Sequence, residues 1–564
     1  MLLYHSRTVT LIPLLLLFGI PALKQVSGAT FEEWRGRSIY QQVVTDRFAT
    51  SSDQAIPCDT SQRKYCGGTW QGLTEHLDYI QKLGFDAVWI SPVVKNIMDP
   101  TEYGESYHGY WMQDLNNLNP KFGDAQNLKN LSQALHKRGM FLMLDVVVNH
   151  FASLEKKPNN PSSVDYSKLS PFNSPSYYHK PCPITDPDNQ TNVEQCSLGD
   201  DTLPLPDVNT EDPSVVDTLN KWIKSLVNEY EADGVRIDTV KHVRKDFWPG
   251  FAQSAGVFTL GEVLSGEVDY VSNYSDVLDA FLDYPTYFKL VDAFSSTSGN
   301  LSELVEMAKA TQAKYKNGAF MVGSFLENHD QPRFPSFTKD MALIKNAMAW
   351  TFAGDCIPIM YYGQEQEYEG GAEPSNREAL WLSGYQTEKP LVAHARALNA
   401  ARRVAMDYNK DFLKTPMRFI DQPCNASLML FKPPITTLLT NMGNDYYNST
   451  VRAFWTLPGS NGSNGSTNAG ARGLYGAGEV LVDVFTCQSM VTGEEDGGLV
   501  LRAKYGMPQM LLPARALSKD GELCPGSAIE QGGKGGPLGA SSGERGRELH
   551  FWPMLALSFL FLFL

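Results

Sequence analysis

The sequence predicts an α/β protein: a (β/α)8 TIM barrel with an inserted subdomain after strand 3 and a C-terminal antiparallel β-sandwich domain. Three observations carry this expectation. Between residues 36 and 408, eight short apolar runs alternate with longer amphipathic stretches. The connection after the third run is far longer than the others. Beyond residue 410 the pattern changes to short β-like runs separated by Gly, Asn and Ser.

The expected barrel strands are residues 38–44, 87–92, 141–148, 234–240, 258–263, 280–283, 323–327 and 357–361. Several are rich in β-branched residues and lack polar alternation, as strands buried on both faces should. Stretches such as 73–83, 125–138 and 215–229 have the helical period between them. The barrel is expected in two segments, 30–150 and 208–409. Between them, residues 151–207 are rich in Pro, Asn, Ser and Asp. A structureless loop of that length inside a compact domain is disfavoured, so this stretch reads as an inserted subdomain. Runs at 428–431, 451–455 and 480–485 place the β domain at 410–515, and the polar, Gly-rich residues 516–542 read as a stalk.

Both termini carry processing grammar. Arg7 precedes the apolar run 11–22, and Ser27, Gly28 and Ala29 offer a small-residue cleavage site, so residues 1–29 read as a secretory signal peptide. An uncleaved membrane anchor is the alternative. At the other end, the small residues 539–543, a polar spacer at 544–550 and the apolar tail 551–564 follow the order of a GPI-anchor signal. Residues 543–564 would then be removed, with a retained tail anchor as the alternative. Eight cysteines and eight N-x-S/T sequons, starting at Asn130, Asn189, Asn273, Asn300, Asn425, Asn448, Asn461 and Asn464, suit a secreted, extracellular chain held at the cell surface. The formal charge of -15 argues against nucleic acid as a partner, because phosphates would be repelled. A neutral polymer meets no such penalty, and the chain is expected to act as a monomer.

Barrel enzymes carry their working residues at the C-terminal ends of strands. Here those ends read DVVVNH at 145–150, RID at 236–238 followed by Lys241 and His242, GEV at 261–263, and ENHD at 327–330. A carboxylate at a buried strand end costs desolvation energy. A structural ion pair explains one such residue, but not four strand ends converging on one rim. These segments, with GVRIDTVKH at 234–242, FLENHD at 325–330, LPD at 205–207, YCGGTWQG at 65–72 and HGYW at 108–111, resemble the signature regions of the α-amylase family of glycoside hydrolases. The likeness is to secreted fungal members, here in a form with a GPI-type tail. It runs from Trp34 through the β domain.

The resemblance implies retaining chemistry on α-1,4-linked glucose. Asp238 would be the nucleophile, Glu262 the general acid and then base, and Asp330 the stabiliser of the distorted sugar. It further implies substrate contacts by His108, Tyr110, Trp111, His150, Arg236, Lys241, His329, Glu373 and Arg377. Arg236, two residues before Asp238, shares its strand face and is placed to hold it ionised. Glu373 stands where the family has Asp, and its longer arm puts that contact in question. A Ca2+ ion is implied on Asn149, Glu194, Asp207 and His242, the last through its backbone carbonyl, with simple turn formation as the alternative for Asn149 and Asp207. The family pattern pairs Cys58 with Cys66, Cys182 with Cys196 and Cys487 with Cys524, leaving Cys356 and Cys424 without counterparts.

Two enzyme readings follow. One is an endo-acting α-amylase hydrolysing internal α-1,4-glucosidic bonds of starch- or glycogen-like glucans. The other is a 4-α-glucanotransferase on cell-wall α-glucan, which a surface tether favours. A third reading, an inactive glucan-binding protein, would require loss of a carboxylate, and all three are present.

Overall fold

The computed structural model describes residues 31–51, 56–154, 164–420, 426–445, 454–456, 474–493, 500–518 and 521–527. The expected signal peptide, the GPI-type tail, most of the stalk and Cys424 lie outside them. Among the described residues no helix is long and apolar enough to cross a membrane. The sequon asparagines Asn130, Asn189, Asn273 and Asn300 are described and exposed.

Eight parallel strands close the barrel: β1 (Ile39–Val43), β2 (Ala87–Ile90), β3 (Phe141–Val146), β4 (Gly234–Ile237), β5 (Phe258–Gly261), β6 (Ala280–Leu282), β7 (Val322–Ser324) and β8 (Ile357–Tyr361). Each pairs with its neighbours in sequence, and β8 returns to β1. All eight expected strands are present. Their apolar runs show no alternation because both faces are buried by different partners. Ile39, Ala87, Trp89, Met143, Phe258, Leu260, Leu282 and Ile359 form one cluster inside the barrel. The residues between them, such as Tyr40, Val88, Leu142, Leu144, Val235 and Met360, join the cluster under the surrounding helices. At the base Trp34 plugs the barrel, its Nε1 donating to Asp233 O at 3.1 Å. Gly234 makes room for it, since a Cβ there would lie 2.8 Å from the indole.

The expected helices form over Ala125–Lys137 and Pro213–Tyr230. The stretch 73–83 is instead two short helices, Trp70–Glu75 and Leu77–Lys82, broken at His76. The His76 ring turns back to Gly72 O at 2.9 Å. After β3 the chain enters the inserted segment, where residues 149–153 run antiparallel to 204–208 through Val208 N–Asn149 O, Phe151 N–Pro206 O and Ser153 N–Pro204 O hydrogen bonds. Cys182–Cys196 closes the segment's outer loop, and Cys58–Cys66 and Cys487–Cys524 are also bonded. Cys356 is free.

The C-terminal unit is a six-stranded antiparallel sheet of β9 (Arg418–Ile420), β10 (Ser427–Lys432), β11 (Ile435–Thr440), β12 (Val480–Asp483), β13 (Ser489–Val491) and β14 (Gln509–Pro513), in the order β9-β10-β11-β14-β12-β13. A two-stranded ribbon, Phe454–Thr456 with Val500–Arg502, packs Leu501 onto one face of it with Met429, Leu438 and Leu511. A buried ion pair ties sheet to barrel, with Lys432 Nζ 2.6 Å from Asp355 Oδ1.

Candidate active site

The barrel register assembles the site. Asp145 on β3 lies directly beside Arg236 on β4. Asp238 is two residues further along β4 and shares the inward face. Glu262 continues the inward register of Leu260 on β5. One guanidinium then meets three carboxylates: Arg236 Nη1 is 3.0 Å from Asp145 Oδ1 and 2.8 Å from Asp238 Oδ1, and Nη2 is 3.0 Å from Glu262 Oε2. Asp145 is held from the other side by Trp89 Nε1 at 3.1 Å and the Tyr110 hydroxyl at 2.6 Å. Glu262 also accepts from Thr239 N (3.2 Å) and from the Tyr284 hydroxyl (3.1 Å). Tyr284 in turn accepts from Asn328 Nδ2, whose Oδ1 caps the Asp330 N–H. Asp330 is framed by His329 Nε2 at 3.2 Å and Arg377 Nη2 at 3.5 Å.

Four carboxylates around so few cations compete for charge. Burial pushes Asp238 well above the usual carboxylate range, with Arg236 opposing and the neighbouring carboxylates adding. Burial, and then Glu262, push Asp330 up to about 7. For Glu262 burial also pushes upward, but Arg236, the Thr239 N–H and the Tyr284 hydroxyl outweigh it and hold the group low. Asp238 and Glu262 share one guanidinium, so they titrate as a pair. Burial keeps the three cleft histidines neutral: His150 falls to about 4, and His108 and His329 lie well below the usual imidazole value. Neutral imidazoles suit hydroxyl groups, each offering one donor and one acceptor.

These residues line a cleft of about 810 Å3 over the strand ends. Asp238, Glu262, Asp330, His108, Tyr110, Trp111, His150, Lys241, His329, Glu373 and Arg377 all face it. Arg236 does not. Expected among the substrate contacts, it lies beneath the cleft with 1% of its surface exposed, all of its charge directed to the carboxylates. Tyr110 has near-parallel ring neighbours in His329 (5.2 Å) and His108 (5.8 Å). The turn carrying these side chains needs Gly109 at φ +93, where a Cβ would lie 2.9 Å from Pro92 O. Lys241 Nζ donates to Leu264 O at 2.9 Å on the opposite wall. Sequence reasoning missed Tyr284 and Asn328 as supports of Glu262 and Asp330, and Arg63 as a lining residue. Asn328 lay within a quoted motif, whereas Tyr284 stands just past a short strand and gave no signal.

The expected calcium ligands meet only partially. Asn149 Oδ1 lies 3.1 Å from Asp207 Oδ1 and 2.9 Å from His242 O. With the amide turned over, its nitrogen donates to both and its oxygen accepts from His150 Nδ1 at 3.3 Å; in the other orientation three oxygens converge as a hard cation would take them. Asp207 is also held by His179, which bridges it to Glu211 with 2.6 Å contacts on both sides. Glu194 Oε1 accepts from Gln190 Nε2 at 2.6 Å, and the helix that carries it packs on His242, whose Nδ1 is 3.3 Å from Val193 O. Among the described residues no group of three or more His, Cys, Asp and Glu side chains is arranged to hold a metal. This cluster differs, since two of its three oxygens come from an amide and a backbone carbonyl.

A closed (β/α)8 barrel with a carboxylate cluster at the C-terminal rim is the arrangement of a barrel enzyme. The "Alpha amylase, catalytic domain" family model matches residues 42–426, and the chain belongs to the α-amylase family of glycoside hydrolases. It is 44% identical over 489 residues to "Alpha-amylase 2" of Schwanniomyces occidentalis, covering 86% of this chain and 92% of that one. It is 50% identical over 389 residues to "Alpha-amylase 1" of Lipomyces kononenkoae, covering 69% of this chain but spanning only 61% of that relative's length. Among solved structures, an α-amylase from Malbranchea cinnamomea superposes with a TM-score of 0.80 at 43% identity, covering 88% of this chain and all of that one.

Proposed function

We propose that the protein is an endo-acting, retaining α-amylase that cleaves internal α-1,4 bonds of starch- or glycogen-like glucans. The observation that carries this reading is Arg236, whose two ends reach Asp238 and Glu262. Retaining enzymes set their carboxyl groups about 5–5.5 Å apart and inverting ones about 6.5–9.5 Å. The Asp238 and Glu262 carboxyls share this guanidinium and stand close enough for a hydrogen bond between them, which favours the narrower spacing. Asp238 then attacks the anomeric carbon while Glu262 protonates the leaving oxygen. As positive charge grows on the sugar beside Asp238, that carboxylate is favoured in its ionised form and a proton on the pair is driven to Glu262. Asp330, held by His329 and Arg377, stabilises the same developing charge. In the second step Glu262 takes a proton from the incoming acceptor, which frees the sugar from Asp238.

The neutral His108, His150 and His329 hold sugar hydroxyls, with Tyr110 and Trp111 beside them and Lys241 on the acceptor wall. Calcium would be held by Asn149, Asp207 and the carbonyl of His242, tying the inserted segment to the barrel rim. Its contribution is to hold the cleft's shape. Chelation with EDTA should therefore lower the melting temperature, and an unchanged melting curve would count against the ion. Three disulfides and the terminal sequence signals support an extracellular protein held at the cell surface.

Incubation with a defined maltooligosaccharide tests the reaction. Only shorter products are expected. Products longer than the substrate would replace hydrolysis by glucanotransfer, with a second glucan rather than water taking the unit from Asp238.

A further inference from the structure

We propose that Arg63 and Glu373 form an ion-pair latch on the Asp330 side of the cleft, the donor side if Glu262 and Lys241 serve the leaving group, limiting how many glucosyl units lie on that side of the cleaved bond. The proposal rests on the reading of the site given above and adds what sets product length. Arg63 stands on the loop closed by Cys58–Cys66 and lines the cleft. Its Nη2 lies 3.8 Å from Glu373 Oε2. The other oxygen of Glu373 is 3.5 Å from Arg377 Nη1, and Arg377 Nη2 is 3.5 Å from Asp330. A row of alternating charge, Arg63–Glu373–Arg377–Asp330, thus runs from the cleft mouth to a catalytic carboxylate. One carboxylate, on the longer arm of Glu, thus spans two guanidinium groups.

The loop is built to present this arginine. Arg63 has φ +49, a left-handed conformation that costs a side-chain-bearing residue energy. The surroundings over-determine it. Glu105 N donates to Arg63 O at 2.8 Å, and the Glu105 carboxylate accepts from Tyr65 N at 2.8 Å. Arg47 Nη2 donates to Lys64 O at 2.9 Å. Gly104, at φ +104, presses so close that a Cβ there would lie 2.5 Å from Arg63 O. A loop that only had to turn would carry Gly or Asn at this position. Both latch side chains are about one-third exposed, at 34% and 35%. The pair is therefore weak enough to open, yet a neutral glucan running past it must separate the charges and gives them nothing of equal strength in return.

The test uses the whole protein and maltoheptaose labelled at its reducing end, so that labelled products report the acceptor side and unlabelled ones the donor side. Arg63→Asn removes the cation while keeping a residue that tolerates the left-handed backbone. The share of cleavage giving the longest donor fragments should rise about three- to fivefold relative to the shorter ones. Glu373→Asp, which shortens the arm and keeps the charge, should shift the pattern in the same direction. An unchanged pattern in either variant, or a uniform loss of kcat/KM without a shift, overturns the latch. Wild-type protein that leaves maltoheptaose intact would instead overturn the reading of the site itself.

Discussion

Glu262→Gln is expected to lower kcat by at least about 10³-fold without unfolding the protein. The amide is isosteric, and its contacts can be kept. Its oxygen can face Arg236 Nη2 and Thr239 N, and its NH2 can donate to the Tyr284 oxygen. What is lost is the proton for the leaving glucan oxygen. The melting temperature should stay close to that of the wild type while turnover on maltooligosaccharides disappears. A glucosyl fluoride, whose leaving group needs no proton, should still be attacked by Asp238, separating loss of the acid from loss of the site. Full activity of the variant on ordinary glucans would remove Glu262 from its assigned role.

Arg236→Met is expected to be damaging in both stability and activity. The guanidinium is buried and is the shared partner of Asp145, Asp238 and Glu262. Removing one partner of a buried ion pair costs about 3–5 kcal/mol, because the remaining charge is left uncompensated. The carboxylates respond by taking up protons, so Asp238 is no longer ionised for attack. Arg236→Lys is the milder form of the experiment. A single ammonium cannot reach two carboxylates from two ends, so less cationic charge meets Asp238. Its proton affinity rises, and the acid limb of the activity profile should move to higher pH. A profile with an unmoved acid limb, together with a wild-type denaturation midpoint, would show that Arg236 only fills space.

These two variants divide what could be read at different levels. The strand-end rule brought Asp145, Asp238, Glu262, Glu327 and Asp330 into view, since a charge there is costly without a purpose, and the resemblance singled out Asp238, Glu262 and Asp330. The same rule brought Arg236 into view but not its place. Strand periodicity put it on the face of Asp238, and only the register between β3 and β4 showed that Asp145 is its other partner and that it lies under the cleft. Tyr284 left no trace in the sequence, because its value lies in contacts 22 residues away to Glu262 and 44 residues away to Asn328. Glu194 was expected near the calcium cluster from resemblance, and only the fold shows the helix that carries it packed on His242.

By itself the sequence determined the barrel, its long insertion after strand 3, the antiparallel C-terminal sheet and the three carboxylates. All of these rest on local signals: apolar runs buried on both faces, breaks in their rhythm, and charges where a buried run ends. The tertiary structure alone decided how those charges share one guanidinium, which oxygens face each other beside His242, and that Glu373 spans Arg63 and Arg377. Those facts depend on strand register and on loops distant in sequence meeting over the rim. Electrostatic energy falls with distance in space, and the order of residues along the chain does not contain that distance until the barrel closes.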